Sequence, residues 1–268
     1  MAGVPHDPED TTVLIRTRDE LATTLEQRIV TGALAPGELL PSERVLSDEY
    51  GLSRSMVREA LRTLAERRLI DVVPGRGSFV RPATAEDSAE RLTDVFDQRQ
   101  VTARYLIEAR NMVETTAAWL AAERADDAEI RAIDQALVSF DRATTLLARV
   151  RGDLAFHLAI VHAAGNPLVE TMFRAIQPYT VELMVRSLTD ETVTTESVPW
   201  HQQILDGIGQ CEPRRASDAM FAHLAVGLTA YGDDIDQNLD VITRRSIDHL
   251  AGGGVTLDQL LEMSREMS

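Results

Sequence analysis

The sequence predicts a mainly α protein: an N-terminal winged helix-turn-helix followed by an all-α helical bundle of six or seven helices. Three observations lead there. Apolar residues recur at helical spacing along most of the chain. Two short β-like runs, 69–73 and 78–81, flank Pro74-Gly75-Arg76-Gly77 in the pattern of a hairpin. After residue 90 no β-rich run returns. The composition agrees: of 268 residues, 44% are hydrophobic and 26% charged, an ordinary globular balance. No apolar run reaches 18 residues, so no membrane span is expected. The opening MAGVPHDPED is acidic and polar, unlike a secretory signal. The single Cys211 excludes an internal disulfide and fits the reducing cytoplasm.

The elements follow in order. Residues 1–17 read as a disordered tail, with Pro5, Pro8 and few apolar anchors. The winged unit is expected over 18–82. Its first helix carries Leu21, Leu25, Ile29 and Val30 on one face and stops at Gly32. Ser42 caps a short second helix that Gly51 ends. Ser53 caps a third, from 54 to about 67, with Val57, Ala60, Leu61 and Leu64 inward. Two helices joined by a short Gly-containing turn form a helix-turn-helix, and the hairpin behind it is the wing. A polar stretch, 83–90, reads as a linker. The helical domain is expected over 91–250, with helices near 91–99, 102–124, 127–145, 149–164, 166–188, 199–210 and 213–231, then one more over 235–250. Asn166-Pro167, Val198-Pro199 and Glu212-Pro213 mark helix starts. A Gly-rich segment and a C-terminal helix are expected over 251–268.

Charge is segregated. The net charge of −16 argues against nucleic acid as a partner if read as a bulk property. All 27 basic residues are arginine, however, and seven of them fall within 52–81 against only Glu59, Glu66 and Asp71. This local excess lies on the third helix and the wing. A recognition helix inserts its N-terminal residues into the major groove; here they are Ser53, Arg54, Ser55, Met56 and Arg58. An arginine fork reads guanine O6/N7 or a phosphate bidentately. The serines suit phosphates, and Met56 suits a thymine methyl. Arg44 is placed for the DNA backbone. Arg76 at the hairpin tip suits a minor groove or a phosphate, with Gly75 and Gly77 permitting close approach.

Residues 40–80 carry L-P-S-E-R, G-L-S-R, V-R-E-A-L, L-I and G-R-G-S-F-V in that order. This run resembles the DNA-binding domain of GntR-family transcription regulators. The resemblance implies a homodimer on a palindromic double-stranded operator, and DNA contacts at Arg44, Arg54, Ser55, Arg58 and Gly75-Arg76-Gly77. Met56 stands where that family usually has Thr. Arg68 stands where Gly usually ends the recognition helix.

In the helical domain, Asp153 and His157 lie four apart on one predicted helix, so they share a face. His201 falls in the first turn of a later helix and His223 in the middle of the next. Three imidazoles and a carboxylate meeting in a bundle would suit a divalent transition metal. Ordinary hydrogen-bonded core histidines are the other reading. DLAFHLAIVHAAGNPLVE at 153–170, with His201 in PWHQQILDGI and His223 in RRASDAMFAHL, resembles the FadR-type (FCD) effector-binding domain over about 91–231. The resemblance implies that Asp153, His157, His201 and His223 hold Zn, Ni or Mn, and leaves His162 outside the set. A bound ion with open positions would attract a small organic acid effector, whose far end an arginine would hold. Arg110 is the candidate by resemblance, ahead of Arg104, Arg174 and Arg186. Asn166 is a further effector candidate, with capping of its own helix as the other reading.

The resulting expectation is a cytoplasmic, dimeric, effector-controlled transcription regulator, a repressor rather than an enzyme. The sequence contains no HExxH, no GxSxG and no evident general base beside the histidines. A metal-dependent hydrolase with a DNA-binding appendage and a pure metal sensor are the alternatives.

Overall fold

The computed structural model describes residues 15–82, 84–249 and 256–267. Residues 1–14 of the expected tail and 251–255 of the Gly-rich segment lie outside the described residues. The chain divides into two compact units, Met1–Thr84 and Ala85–Ser268.

The first unit holds α1 (Arg18–Val30), α2 (Glu43–Tyr50), α3 (Arg54–Glu66), β1 (Ile70–Val73) and β2 (Gly77–Val80). Thr17 and Glu20 form a reciprocal capping box that starts α1 at Arg18. Ser42 and Ser53 cap α2 and α3 through the amides of Val45 and Met56. The strands pair antiparallel, from Ile70↔Val80 to Val73↔Gly77. The segment before α2 adds a bridge from Leu39 to Phe79, so the wing is anchored to the loop entering the helix-turn-helix. Leu21, Leu25, Leu46, Val57, Leu64 and Ile70 close one aliphatic core. Each fully buried Leu contributes about 1.5–3 kcal/mol. Arg68 adopts φ 56°, the left-handed geometry that normally favours glycine. The amide of Leu69 donates to Leu64 O and that of Arg68 to Ala65 O, so α3 ends in a Schellman turn despite the arginine.

The second unit has helices as its regular elements, with one isolated antiparallel bridge between Thr102 and Asn238. It comprises α4 (Ala85–Asp97), α5 (Ala103–Arg124), α6 (Asp127–Arg142), α7 (Leu146–Ala163), α8 (Pro167–Leu188), α9 (Glu191–Ser197), α10 (Pro199–Gly209), α11 (Pro213–Tyr231), α12 (Leu239–His249) and α13 (Leu257–Glu266). Nine of these ten correspond to helices expected for the bundle and for the segments after it, and α9 is the addition. The expected 83–90 linker is corrected: α4 begins at Ala85. Its buried positions are Asp87 and Ala89, too polar and small to look like a core face. Thr93 Oγ1 donates to Ala175 O, and Tyr179 Oη donates to Asp97, which tie α4 to α8. The short α9, rich in β-branched residues but capped by Asp190, was not anticipated. Two glycines set helix spacing. A Cβ on Gly152 would stand 2.7 Å from Phe140 Cα, and one on Gly207 would stand 2.7 Å from Ala216 N. These close approaches bring α6 against α7 and α10 against α11.

Candidate nucleic-acid interface and candidate metal centre

The N-terminal turn of α3 presents its polar residues to solvent. Ser53, Arg54, Ser55 and Arg58 are exposed, while Met56 is half-buried against the core. Ser53 Oγ lies 2.9 Å from Ser55 Oγ as well as capping the helix. Arg58 is held bidentately by Glu43 of α2, at 3.2 Å from Nε and 3.0 Å from Nη2. That pair holds the Glu43 carboxyl below its usual range. Arg44 reaches Asp48 at 3.7 Å from an exposed position. At the wing, Gly75 and Gly77 take φ of 74° and 116°, conformations a larger residue rarely adopts. Between them Arg76 is exposed and packs over the Phe79 ring, 5.7 Å from its centre.

In the second unit, α7, α10 and α11 bring His157, His201 and His223 together, each offering a ring nitrogen within 4.8 Å of the others. His157 is fully buried and His201 is 2% exposed. Asp153 Oδ1 lies 3.2 Å from His201 Nε2 and 3.8 Å from His157 Nε2. His223 Nδ1 sits 3.2 Å from the Ser197 carbonyl at the end of α9, which leaves its Nε2 for the cluster. The Phe140 and Phe156 rings pack on His201. Burial pushes the Asp153 carboxyl up, but the His201 ring, with His157 and His223 behind it, holds it well below the carboxylate range. Burial and the two neighbouring imidazoles drive His223 well below its usual value, so it is neutral. Among the described residues, Asp153 Oδ1 and both nitrogens of His157 and of His201 find no hydrogen-bond partner of good geometry. Such buried polar atoms cost about 1–3 kcal/mol each when unsatisfied. The neutral His223, the ionised Asp153 and the unsatisfied polar atoms between them suit a divalent transition metal.

A cavity of about 30 Å³ adjoins the cluster, lined among others by Arg110, Asp153, Ser197, His201 and His223. Behind it stands a residue that the sequence reading missed, Glu114. It is 1% exposed and accepts both Arg110 Nε (2.5 Å) and Nη2 (3.3 Å), while its other side meets His157 Nδ1. Burial raises its carboxyl, but Arg110 and then His157 outweigh that and hold it at about 2. Glu114 therefore stands behind a histidine, the place second-layer carboxylates take at metal sites.

Residues 17–80 match the family described as "Bacterial regulatory proteins, gntR family", and residues 105–226 match the FCD domain. The chain is 30% identical to the galactonate operon transcriptional repressor of Escherichia coli strain K12, over 77% of this chain and 93% of that one. This chain belongs to the GntR family. It is a transcription regulator with an FCD domain, not an enzyme. It is also 27% identical to the Glc operon transcriptional activator of the same organism, over 74% of this chain and 84% of the relative. A solved Streptococcus agalactiae GntR structure shares the fold, with a TM-score of 0.55 at 22% identity over 80% of this chain and 99% of that one.

Placed in this regulator, the sequence-derived candidates separate. Asp153, His157, His201 and His223 converge, and Arg110 joins them at the cavity. Asn166 does not line it: its Oδ1 accepts the Leu168 amide at 3.0 Å and caps α8. Arg104, Arg174 and Arg186 are engaged by Asp236, Glu170 and Asp190. His162 is exposed. Glu114 left one trace in the sequence, its four-residue offset from Arg110, but only the fold shows that it also meets His157.

Proposed function

We propose that this regulator binds a palindromic operator as a homodimer, as a cytoplasmic repressor, and that a small carboxylate bound beside a divalent transition metal in the FCD domain controls its affinity. The observation that carries the reading is the convergence of buried Asp153, His157 and His201, which carry unsatisfied polar atoms, with the half-buried His223. Those four residues would hold Zn, Ni or Mn, and the ion would supply a Lewis-acidic anchor for a carboxylate. Arg110 is the residue for the effector's second end, and Glu114 keeps it and His157 in register. Asn166, committed to its cap, is left to a supporting role at most. One relative's operon is named for galactonate, a polyhydroxy acid, which puts sugar acids first in a test panel.

Cavity size bears on how an effector acts. About 30 Å³ admits an ion and a water or two, not a sugar acid. An effector that binds must select a more open arrangement of α9, α10 and α11, and differential binding to that arrangement shifts the population. The tight cavity also favours a second reading, a metal sensor without an organic ligand.

On the DNA side, Arg54, Arg58 and Arg44 with Ser53, Ser55 and Met56 are proposed for the major groove and its phosphates, and Arg76 between Gly75 and Gly77 for the wing contact. An exposed apolar row on α5 supports dimerisation through the second unit. Tyr105, Met112 and Trp119 recur every seven residues along α5 and are 62%, 72% and 41% exposed. Fluorescence anisotropy on an operator fragment, at fixed salt, tests the whole reading. Zinc-loaded protein should bind, and a sugar acid should release it. Release by zinc alone, with no further effect of any carboxylate, would establish the sensor reading instead.

A further inference from the structure

A second cavity, of about 510 Å³, lies in the helical unit between α4, α8 and α13, away from the histidines. Its volume is that of a small-molecule site. Glu86, Glu90, Asp94 and Asp97 of α4 line one side. Their spacing spreads them over about 16 Å of helix. From α8 comes Glu182, which is only 7% exposed, and whose Oε2 has no hydrogen-bond partner among the described residues. Two arginines also reach the cavity. Arg174 gives Nε and Nη2 to Glu170, which does not line the cavity, while its buried Nη1 finds no hydrogen-bond partner among the described residues; Arg265 is exposed. Carboxylates therefore dominate, at two separated places: the buried Glu182, with Asp97 and Tyr179 near it, and the exposed start of α4.

We propose that this groove binds a short aliphatic diamine, one ammonium on Glu182 and the other on the α4 carboxylates. An ammonium donates to the acceptor that Glu182 leaves unsatisfied, and a second ammonium three or four methylenes away follows the acidic row. The methylene stem meets Ala89, Pro178 and Leu261. Burial, and next the nearby Asp240, raise the Glu182 carboxyl to about 7, so a bound cation is what would keep it ionised at neutral pH. The site is independent of how the histidine cluster is used. Its position on α4 matters because that helix starts directly after the DNA-binding unit ends at Thr84.

Isothermal titration of butane-1,4-diamine into the full-length protein at pH 7.5 tests this. Saturable binding of one diamine per chain is expected. Glu182→Gln should weaken it at least about tenfold, as expected for loss of a charge-assisted contact. Asp94→Asn, on the exposed face of α4, should weaken it about threefold by the same electrostatics. His223→Ala should leave it unchanged. No saturable heat at millimolar diamine, an unchanged isotherm in Glu182→Gln, or loss of binding in His223→Ala, which would mean chelation at the histidines, overturns the proposal. If Glu182→Gln does not fold, an unchanged isotherm in Asp94→Asn overturns it.

Discussion

Arg54, Arg58 and Arg76 stand in solvent on a unit whose aliphatic core closes without them. In the helical unit, Glu114, Asp153, His157 and His201 are themselves buried core. The first unit is built to be stable and then to touch something large. The second spends part of its interior on polar groups that packing alone does not satisfy. Mutations in the two regions should therefore separate stability from binding.

The largest effect is expected at Glu114. Glu114→Ala leaves Arg110 buried without its partner, and urea unfolding should show a loss of about 3–5 kcal/mol. A loss under about 1 kcal/mol would mean that the cluster is less tightly coupled than its geometry shows. The next is a pH effect at Glu182. Its carboxyl is raised in the folded state to about 7 from 4.5. The folded protein thus holds the proton more tightly than the unfolded chain, and stability from this group is full below about pH 4.5 and declines as pH rises through 7. Relative to Glu182→Gln, the wild type should lose about 2 kcal/mol between pH 5 and 8 in denaturant titrations. A flat difference would place other groups in control.

On the exposed side the pattern inverts. Arg54→Ala should reduce operator affinity by about 10- to 100-fold at fixed salt, while its thermal midpoint stays within a degree or two of wild type. A destabilised Arg54→Ala protein would break the distinction between the two units. The smallest effect is expected at Arg68. Replacing it with glycine relieves the left-handed backbone and should add about 1 kcal/mol, read as a rise in the thermal midpoint.

The same contrast explains what the sequence revealed. The helix-turn-helix and wing were legible because their determinants are local. Ser42 and Ser53 cap, Gly51 and Gly75 turn, and the arginines follow within a few residues. Arg68 was marked as a departure, and its φ shows the glycine geometry retained without the glycine. The histidine set was legible only through resemblance, since His157 and His223 lie 66 positions apart. Glu114 and Ser197 were missed because their roles depend on helices meeting across the bundle. The start of α4 was misread because its buried positions are an aspartate and an alanine rather than large apolar residues.

Elemental analysis of the purified protein, as isolated and after zinc loading and dialysis, tests the central claim most directly: that the buried polar cluster is a metal centre. One divalent transition metal per chain is expected in wild type and in Arg54→Ala, and its loss in His157→Ala and His223→Ala. Absence of metal from wild-type protein, or full stoichiometry retained in both histidine variants, would contradict it.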